Sequence, residues 1–280
     1  MTEEKKMLFS QDALKKLLWP LIIEQFLAIA MGMADTVMAA SCGEAVVSGI
    51  SLVDSICVLL IGLFTAMASG GAVVAAQYMG HGDKEMVGRA SNQLFIAVGG
   101  VALLFMTIAL IWNRGLLALL YGNVEADVMS AARIYFYIVA VSFPFLGIYN
   151  GGAALFRAVG DSKVSMKVSL VANLVNIAGN AVLIFGFHMG VAGAAISTLA
   201  SRILMSIIMI CRQRVPKQEI VIRDYFSIRP DMKLILIILS VGIPSGIENG
   251  MFQFGKLAIQ STVSTLGTTA IAAQAMTCLL

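Results

Sequence analysis

Four stretches of this chain, 55–76, 94–112, 134–156 and 168–187, each run for about twenty residues without a Lys, Arg, Asp or Glu. A helix of ~20 apolar residues is just long enough to cross the ~30 Å hydrocarbon layer of a bilayer. Two further stretches span with interruptions: 17–40 holds Glu24, Gln25 and Asp35, and 191–211 holds Arg202. A seventh, 234–266, is broken by Pro244 and dotted with polar residues, and another begins at Thr269. Backbone polar groups in lipid must be satisfied inside the segment, so each stretch reads as helix. The expected fold class is an all-α polytopic membrane protein. A composition of 59% hydrophobic and 12% charged residues excludes an ordinary soluble domain.

Basic residues fix the expected orientation. Fifteen of the nineteen Lys and Arg lie before the first span or in the second, fourth and sixth loops, while the alternate loops hold only Arg114 and Arg133. By the positive-inside rule these basic segments are cytoplasmic, giving a multi-pass protein of the cytoplasmic (inner) membrane with a cytoplasmic N-terminus. The net charge of +3 is this topology signal and gives no reason to expect nucleic acid.

Several chemistries find no residues here. The charged start runs directly into a segment too long for a signal h-region, so no cleavable leader is expected. Cys42, Cys57, Cys211 and Cys278 have no paired spacing, and His81 and His188 read as loop residues without ligand partners. There is no Ser/His/Asp set and no P-loop, so the chain is not expected to be an enzyme or to carry a cofactor. Transport, if it occurs, must be driven by an ion gradient or a partner.

Pro20-x-x-x-Glu24, followed 23 residues later by Gly43, returns as Pro244-x-x-x-Glu248 followed by Gly267, an offset of 224 residues. Two equivalent halves with a site at their interface are a common build for secondary transporters. The expected organisation is a six-helix lobe with its following linker over 1–230. Helix seven and the start of helix eight of a second lobe then occupy 231–280. In the outer loop 113–130, the run Leu116 to Leu120 fits a short interfacial helix.

Ionisable groups inside spans are costly and are functional candidates by default. Glu24 and Asp35 are eleven residues apart, which places them on one helix face about 16 Å apart along the axis. Asp35 reads either as a helix-end carboxylate wetted from outside or as a proton or cation site. Ser169, Asn173, Asn176 and Asn180, at spacings of 4, 3 and 4, form a polar stripe on the fifth span. That stripe serves equally as interhelical hydrogen-bonding glue or as an oxygen-rich cage for Na⁺ or a protonated Asp. The seventh span repeats the device with Asn249, Gln253, Lys256 and Gln260 beside Glu248, and Lys256 is a candidate ion-pair partner for Glu248. Pro244 is expected to break or bend its helix. Pro20 is expected either to bend the first helix or to sit harmlessly in its first turn. Asp54 is expected to be solvated near the outer end of its span, and Arg202 to pair with an unnamed group or to snorkel.

These residues resemble the MATE family (multidrug and toxic compound extrusion). The resemblance is carried by Pro20-Leu-Ile-Ile-Glu24 through Asp35, by Gln77-Tyr-Met-Gly-His-Gly-Asp83, and by Phe156-Arg157-Ala-Val-Gly160-Asp161-Ser-Lys163. It continues through Asn176-Ile-Ala-Gly-Asn180, through Gly190-Val-Ala-Gly-Ala-Ala195-Ile-Ser-Thr198, and through Gly242-Ile-Pro244-Ser-Gly-Ile-Glu248. It implies a twelve-helix fold in two lobes around a cavity, exporting cationic or amphipathic organic compounds and drugs in exchange for H⁺ or Na⁺. It assigns ion coupling to Asp35 with Asn176, Asn180 and Thr198. Pro20, Glu24, Asn173, Glu248 and Gln253 become candidates for gating or substrate handling. Some members carry Asp at the position of Asn180, which leaves Asp35 as the main ionisable group of this lobe. The resemblance also implies that later helices are missing here, to be supplied by a second lobe or a second copy. A flippase for lipid-linked oligosaccharide, or a non-transporting half-lobe partner of a complete transporter, are the alternative readings.

Overall fold

Polar punctuation sets the ends of long apolar helices. A computed structural model describes residues 11–122, 124–214, 230–266 and 269–271, without the side chains of 11–14, 16, 17, 245, 249, 252 and 253. Its described part is helical and contains no strand. The helices are α1 (Gln11–Ala40), α2 (Glu44–Gly80), α3 (Lys84–Ile111), α4 (Asn113–Tyr121), α5 (Ala126–Ala140), α6 (Phe143–Ala158), α7 (Ser162–Asn180), α8 (Gly190–Gln213) and α9 (Met232–Ser264). Asp83 caps α3 by accepting from the Met86 amide at 3.0 Å, and Asp231 caps α9 by accepting from Lys233 at 3.0 Å and Leu234 at 3.3 Å. Such caps satisfy amides that have no partner inside the helix. The linker 215–229, Gly267 and Cys278 lie outside the described residues.

Five helices are long and apolar enough to cross a membrane. Helices α5 and α6 are long and apolar enough for a crossing only when taken together, and they meet at a 54° bend. The expectation of one straight fourth span is thereby corrected. Pro144, at the start of α6, has no N–H to offer the Ala140 carbonyl, and its ring crowds the preceding turn. Ser142, within the break, donates both its hydroxyl, at 2.6 Å, and its amide, at 2.9 Å, to the Val139 carbonyl. A short helix forms where one was expected, as α4, and the Tyr121 hydroxyl at its end donates to the Leu52 carbonyl at 3.2 Å. The fifth span also departs from a plain helix: Ala181–Gly186 is wound as π-helix directly after Asn180.

The core lies around α2, the longest helix, which packs against α9, α6, α3 and α5. Leu52, Phe64, Leu94, Phe136 and Phe143 are among its fully buried side chains. The outward faces carry large apolar groups such as Phe26, Ile111, Leu174 and Phe185, as expected where lipid is the solvent. Helix α9 crosses α2 in close backbone contact. A Cβ placed on Gly70 would lie 2.5 Å from the Ile238 carbonyl oxygen, and one on Gly242 would lie 3.1 Å from the Ala66 carbonyl oxygen. Ala66-x-x-x-Gly70 thus meets Gly242-x-x-x-Gly246, the small-residue pattern that lets helix backbones touch in lipid.

Both prolines sit inside continuous helix. Pro244 does not interrupt α9, and Pro20 is interior to α1 rather than in its first turn.

Candidate functional site

The peripheral helix α1 is tied to α7 by three contacts spaced along its length. Ser165 donates its hydroxyl to Glu24 Oε2 at 2.8 Å, Asn173 donates its amide to the Leu27 carbonyl at 3.0 Å, and Asn180 donates to Asp35 Oδ1. The partner numbers rise together, so the two helices run parallel, as first and fifth spans must. The inward face of α7 is the predicted stripe: Ser169, Asn173, Asn176 and Asn180 are all buried.

At one end the four residues assigned to ion coupling form a single cluster. Asn180 Nδ2 donates to Asp35 and also lies 3.3 Å from Asn176 Oδ1. Asn176 Nδ2 donates to Thr198 Oγ1 at 3.4 Å, while Thr198 donates its own hydroxyl to the Ala194 carbonyl at 3.0 Å. Ser197 donates to the Asn176 backbone carbonyl at 2.7 Å and locks α8 onto α7. The close approach needs Gly179, because a Cβ there would sit 2.5 Å from Ser197 Oγ. The second lone-pair centre of the cluster is open: Asn180 Oδ1 is buried and, among the described residues, accepts no hydrogen bond. The π-turn begins at the next residue, a winding often found at functional positions.

At the other end Glu24 is fully engaged. It accepts from the Tyr149 hydroxyl at 2.8 Å and from Ser165 at 2.8 Å, and it pairs with Arg157 at 3.5 Å. Its side chain is only 15% exposed. The Arg157-Ala-Val-Gly160-Asp161 turn therefore delivers a counter-charge to the first span, helped by the left-handed Gly160 (φ 81°).

A second polar group lies deeper in the lobe and was not assembled from sequence. Asp54 is half-buried rather than solvated, and it accepts from the Tyr135 hydroxyl at 3.4 Å. Arg202 donates to Ser142 Oγ at 2.7 Å, at the break between α5 and α6. Its charge interacts with those of Asp54 and Asp35. Arg202 thus has a hydroxyl partner and two carboxylates in electrostatic range, so of the two expectations it meets pairing rather than snorkelling.

The MatE family profile matches residues 20–182, more than half of the chain, including Glu24, Asp35, Asp54 and the whole asparagine stripe. The chain belongs to the MatE family. Among relatives of this MatE chain, the uncharacterized transporter YisQ of Bacillus subtilis is 26% identical over 290 residues, covering 98% of this chain and 62% of that protein. The probable multidrug resistance protein NorM of Thermotoga maritima is 27% identical over 270 residues, covering 92% and 55%. The chain thus spans between 55% and 62% of the length of these two relatives. Among solved structures, an inward-facing multidrug resistance MATE transporter superposes with a TM-score of 0.81 at 19% identity, covering 94% of this chain and 60% of that one. An outward-facing one gives 0.78 at 19% identity, covering 94% and 64%. These likenesses establish the fold.

Within the MatE fold the remaining predicted residues stand apart from the Asp35 cluster. Glu248 is exposed on α9, which packs chiefly against α2, beside the exposed Ile247 and Met251. Gln253 lies on α9 with its side chain outside the described set, as does Asn249. Gln260, the last member of that stripe, is buried and donates to Ser51 Oγ at 3.3 Å.

Proposed function

We propose that this chain provides the ion-coupling lobe of an antiporter that exports cationic or amphipathic organic compounds across the cytoplasmic membrane. The N-terminus is cytoplasmic in this reading, which the distribution of Lys and Arg supports. The observation that carries the proposal is the cluster around Asp35. One carboxylate meets one amide donor, while a buried amide oxygen beside it, Asn180 Oδ1, has no donor of its own. Asp35 takes up a proton there, or holds Na⁺ together with Asn176 Oδ1 and Thr198 Oγ1. Either ion neutralises Asp35 and weakens its charge-assisted bond to Asn180.

Release of that bond frees the Asp35 end of α1, whose helix carries Pro20 as its bending point. The shape of the lobe then changes, and substrate leaves outward. Exchange follows because ion and substrate favour different conformations, and only such differential binding can drive one against the other. The names of NorM and of the solved multidrug MATE transporters support drug-like compounds as substrates. A second lobe, within the same polypeptide or from a second copy, completes the cavity in this scheme.

The test is drug accumulation in an efflux-deficient bacterium expressing the intact transporter or its Asp35→Asn variant. Loss of efflux in the variant is expected, and export at the wild-type rate would overturn the assignment of Asp35.

A further inference from the structure

Helices α7 and α8 are antiparallel neighbours, so the start of one and the end of the other lie at the same face of the membrane. Between them is a cavity of about 240 Å³ lined by Val164, Lys167, Val168, Val171, Ile208 and Arg212. The two cations come from opposite walls, Lys167 from the second turn of α7 and Arg212 from the last turn of α8. Both are exposed, and among the described residues neither has a carboxylate oxygen within 4.0 Å. Arg157 and Arg89 differ in this respect, being compensated by Glu24 and Glu85. The floor is apolar: Val164 and Val168 are buried, and Val171 opens sideways at 41% exposure.

Depth decides what this groove suits. Val171 is four residues beyond Lys167, about 6 Å deeper along the helix axis. The cations therefore stand at headgroup level where Val171 and Ile208 enter the hydrocarbon. A small anion would use the two charges and waste the apolar wall, whereas a neutral acyl chain would use the wall alone. A molecule with one phosphodiester and a hydrocarbon tail uses both.

We propose that the groove between α7 and α8 binds the headgroup of an anionic phospholipid. The phosphate lies between Lys167 and Arg212, and an acyl chain passes over Val171 and Ile208. Basic pockets between spanning helices are suited to such headgroups, at about 1 kcal/mol for each cation near the surface. The lipid bridges the two helices that carry Asn176, Asn180 and Thr198, so its binding braces the wall of the Asp35 cluster. Placement in the cytoplasmic leaflet rests on the orientation proposed above; binding itself does not.

The experiment measures lipid retained by the purified chain using native mass spectrometry. The probes are dioleoyl-phosphatidylglycerol, dioleoyl-phosphatidylcholine and inorganic phosphate, each applied separately. The expected result is preferential retention of phosphatidylglycerol. Retention should fall about five-fold in Lys167→Gln or Arg212→Gln and about thirty-fold in the double variant. The exposed cation variant Lys84→Gln, on a different helix, should match the wild type. Val171→Trp, which keeps both charges and fills the groove, should also lose the lipid. Retention in the double variant within about two-fold of wild type would overturn the site. Equal retention of phosphatidylcholine, or displacement of phosphatidylglycerol by equimolar inorganic phosphate, would overturn the assignment to an anionic lipid.

Discussion

Asn180 donates its side-chain amide to the carboxylate of Asp35, joining the fifth span to the first across 145 residues of sequence. The same amide also faces Asn176, which reaches Thr198 on α8, so three helices share one short polar chain. Because α1 is otherwise bounded largely by exposed apolar side chains, these contacts are a principal restraint on its C-terminal half.

Asn180→Leu keeps a similar volume and removes that donor. A hydrogen bond to a charged group is worth about 1.5–3 kcal/mol. The variant is expected to shift the ion concentration for half-maximal efflux by roughly ten- to a hundred-fold. Efflux measured against an imposed ion gradient checks this, and an unshifted midpoint would remove Asn180 from the coupling site.

Glu24→Ala leaves Tyr149, Ser165 and Arg157 facing one another without their acceptor. A fall in detergent stability of about 2–3 kcal/mol is expected, since an uncompensated partly buried cation adds to lost hydrogen bonds. Glu24→Gln retains an acceptor oxygen and should lose less. Thermal unfolding of both variants beside the wild type gives the comparison, and a Glu24→Gln protein as stable as the wild type would mean that the ion pair contributes nothing.

Removing one member of the Asp54 and Arg202 group should harm more than removing both charges. Arg202→Gln leaves Asp54 and Asp35 without their shared cation and is expected to cost about 2 kcal/mol, below the figure for a fully buried pair because both side chains are half-buried. Asp54→Asn in the same chain should restore part of it. A double-mutant cycle that comes out additive would show the two to be uncoupled.

Gly70→Ala forces α2 and α9 apart, because the new Cβ would fall 2.5 Å from a backbone oxygen that no rotamer change can move. The expected loss is about 1–3 kcal/mol, the range for overpacked contacts. Gly99→Ala, where nothing lies within 4 Å, should be neutral in the same thermal assay.

The spans were legible because lipid imposes a length and forbids charge, and these two constraints act on local sequence. The asparagine stripe was legible for a related reason: spacings of 4, 3 and 4 describe one helix face whatever it touches. Its partners were not. The helices joined at Glu24 lie 125 to 141 residues away, and a Tyr or Ser in an apolar run carries no mark of which carboxylate it meets. Asp54 looked solvated because it lies near a span end, but Tyr135 and the charge of Arg202 come from α5 and α8. The bend at Ser142 did have a signal in Pro144, which the unbroken hydropathy of 134–156 concealed. The π-winding after Asn180 has none that we recognise in the residues Ala181–Gly186.

The three ties along α1 are unequal, and their inequality makes the helix a lever. Glu24 is held by three groups and lies only four residues from Pro20, whereas Asp35 is held through one amide and lies fifteen residues away. At 1.5 Å per residue, a swing of about 10° about Pro20 carries Glu24 by about 1 Å and Asp35 by about 4 Å. The second displacement exceeds the range of any hydrogen bond, while the first is about a quarter as large and is shared among three contacts. A small rotation about Pro20 would therefore load the long arm most, and under the coupling proposed above an ion on Asp35 need release only that one contact.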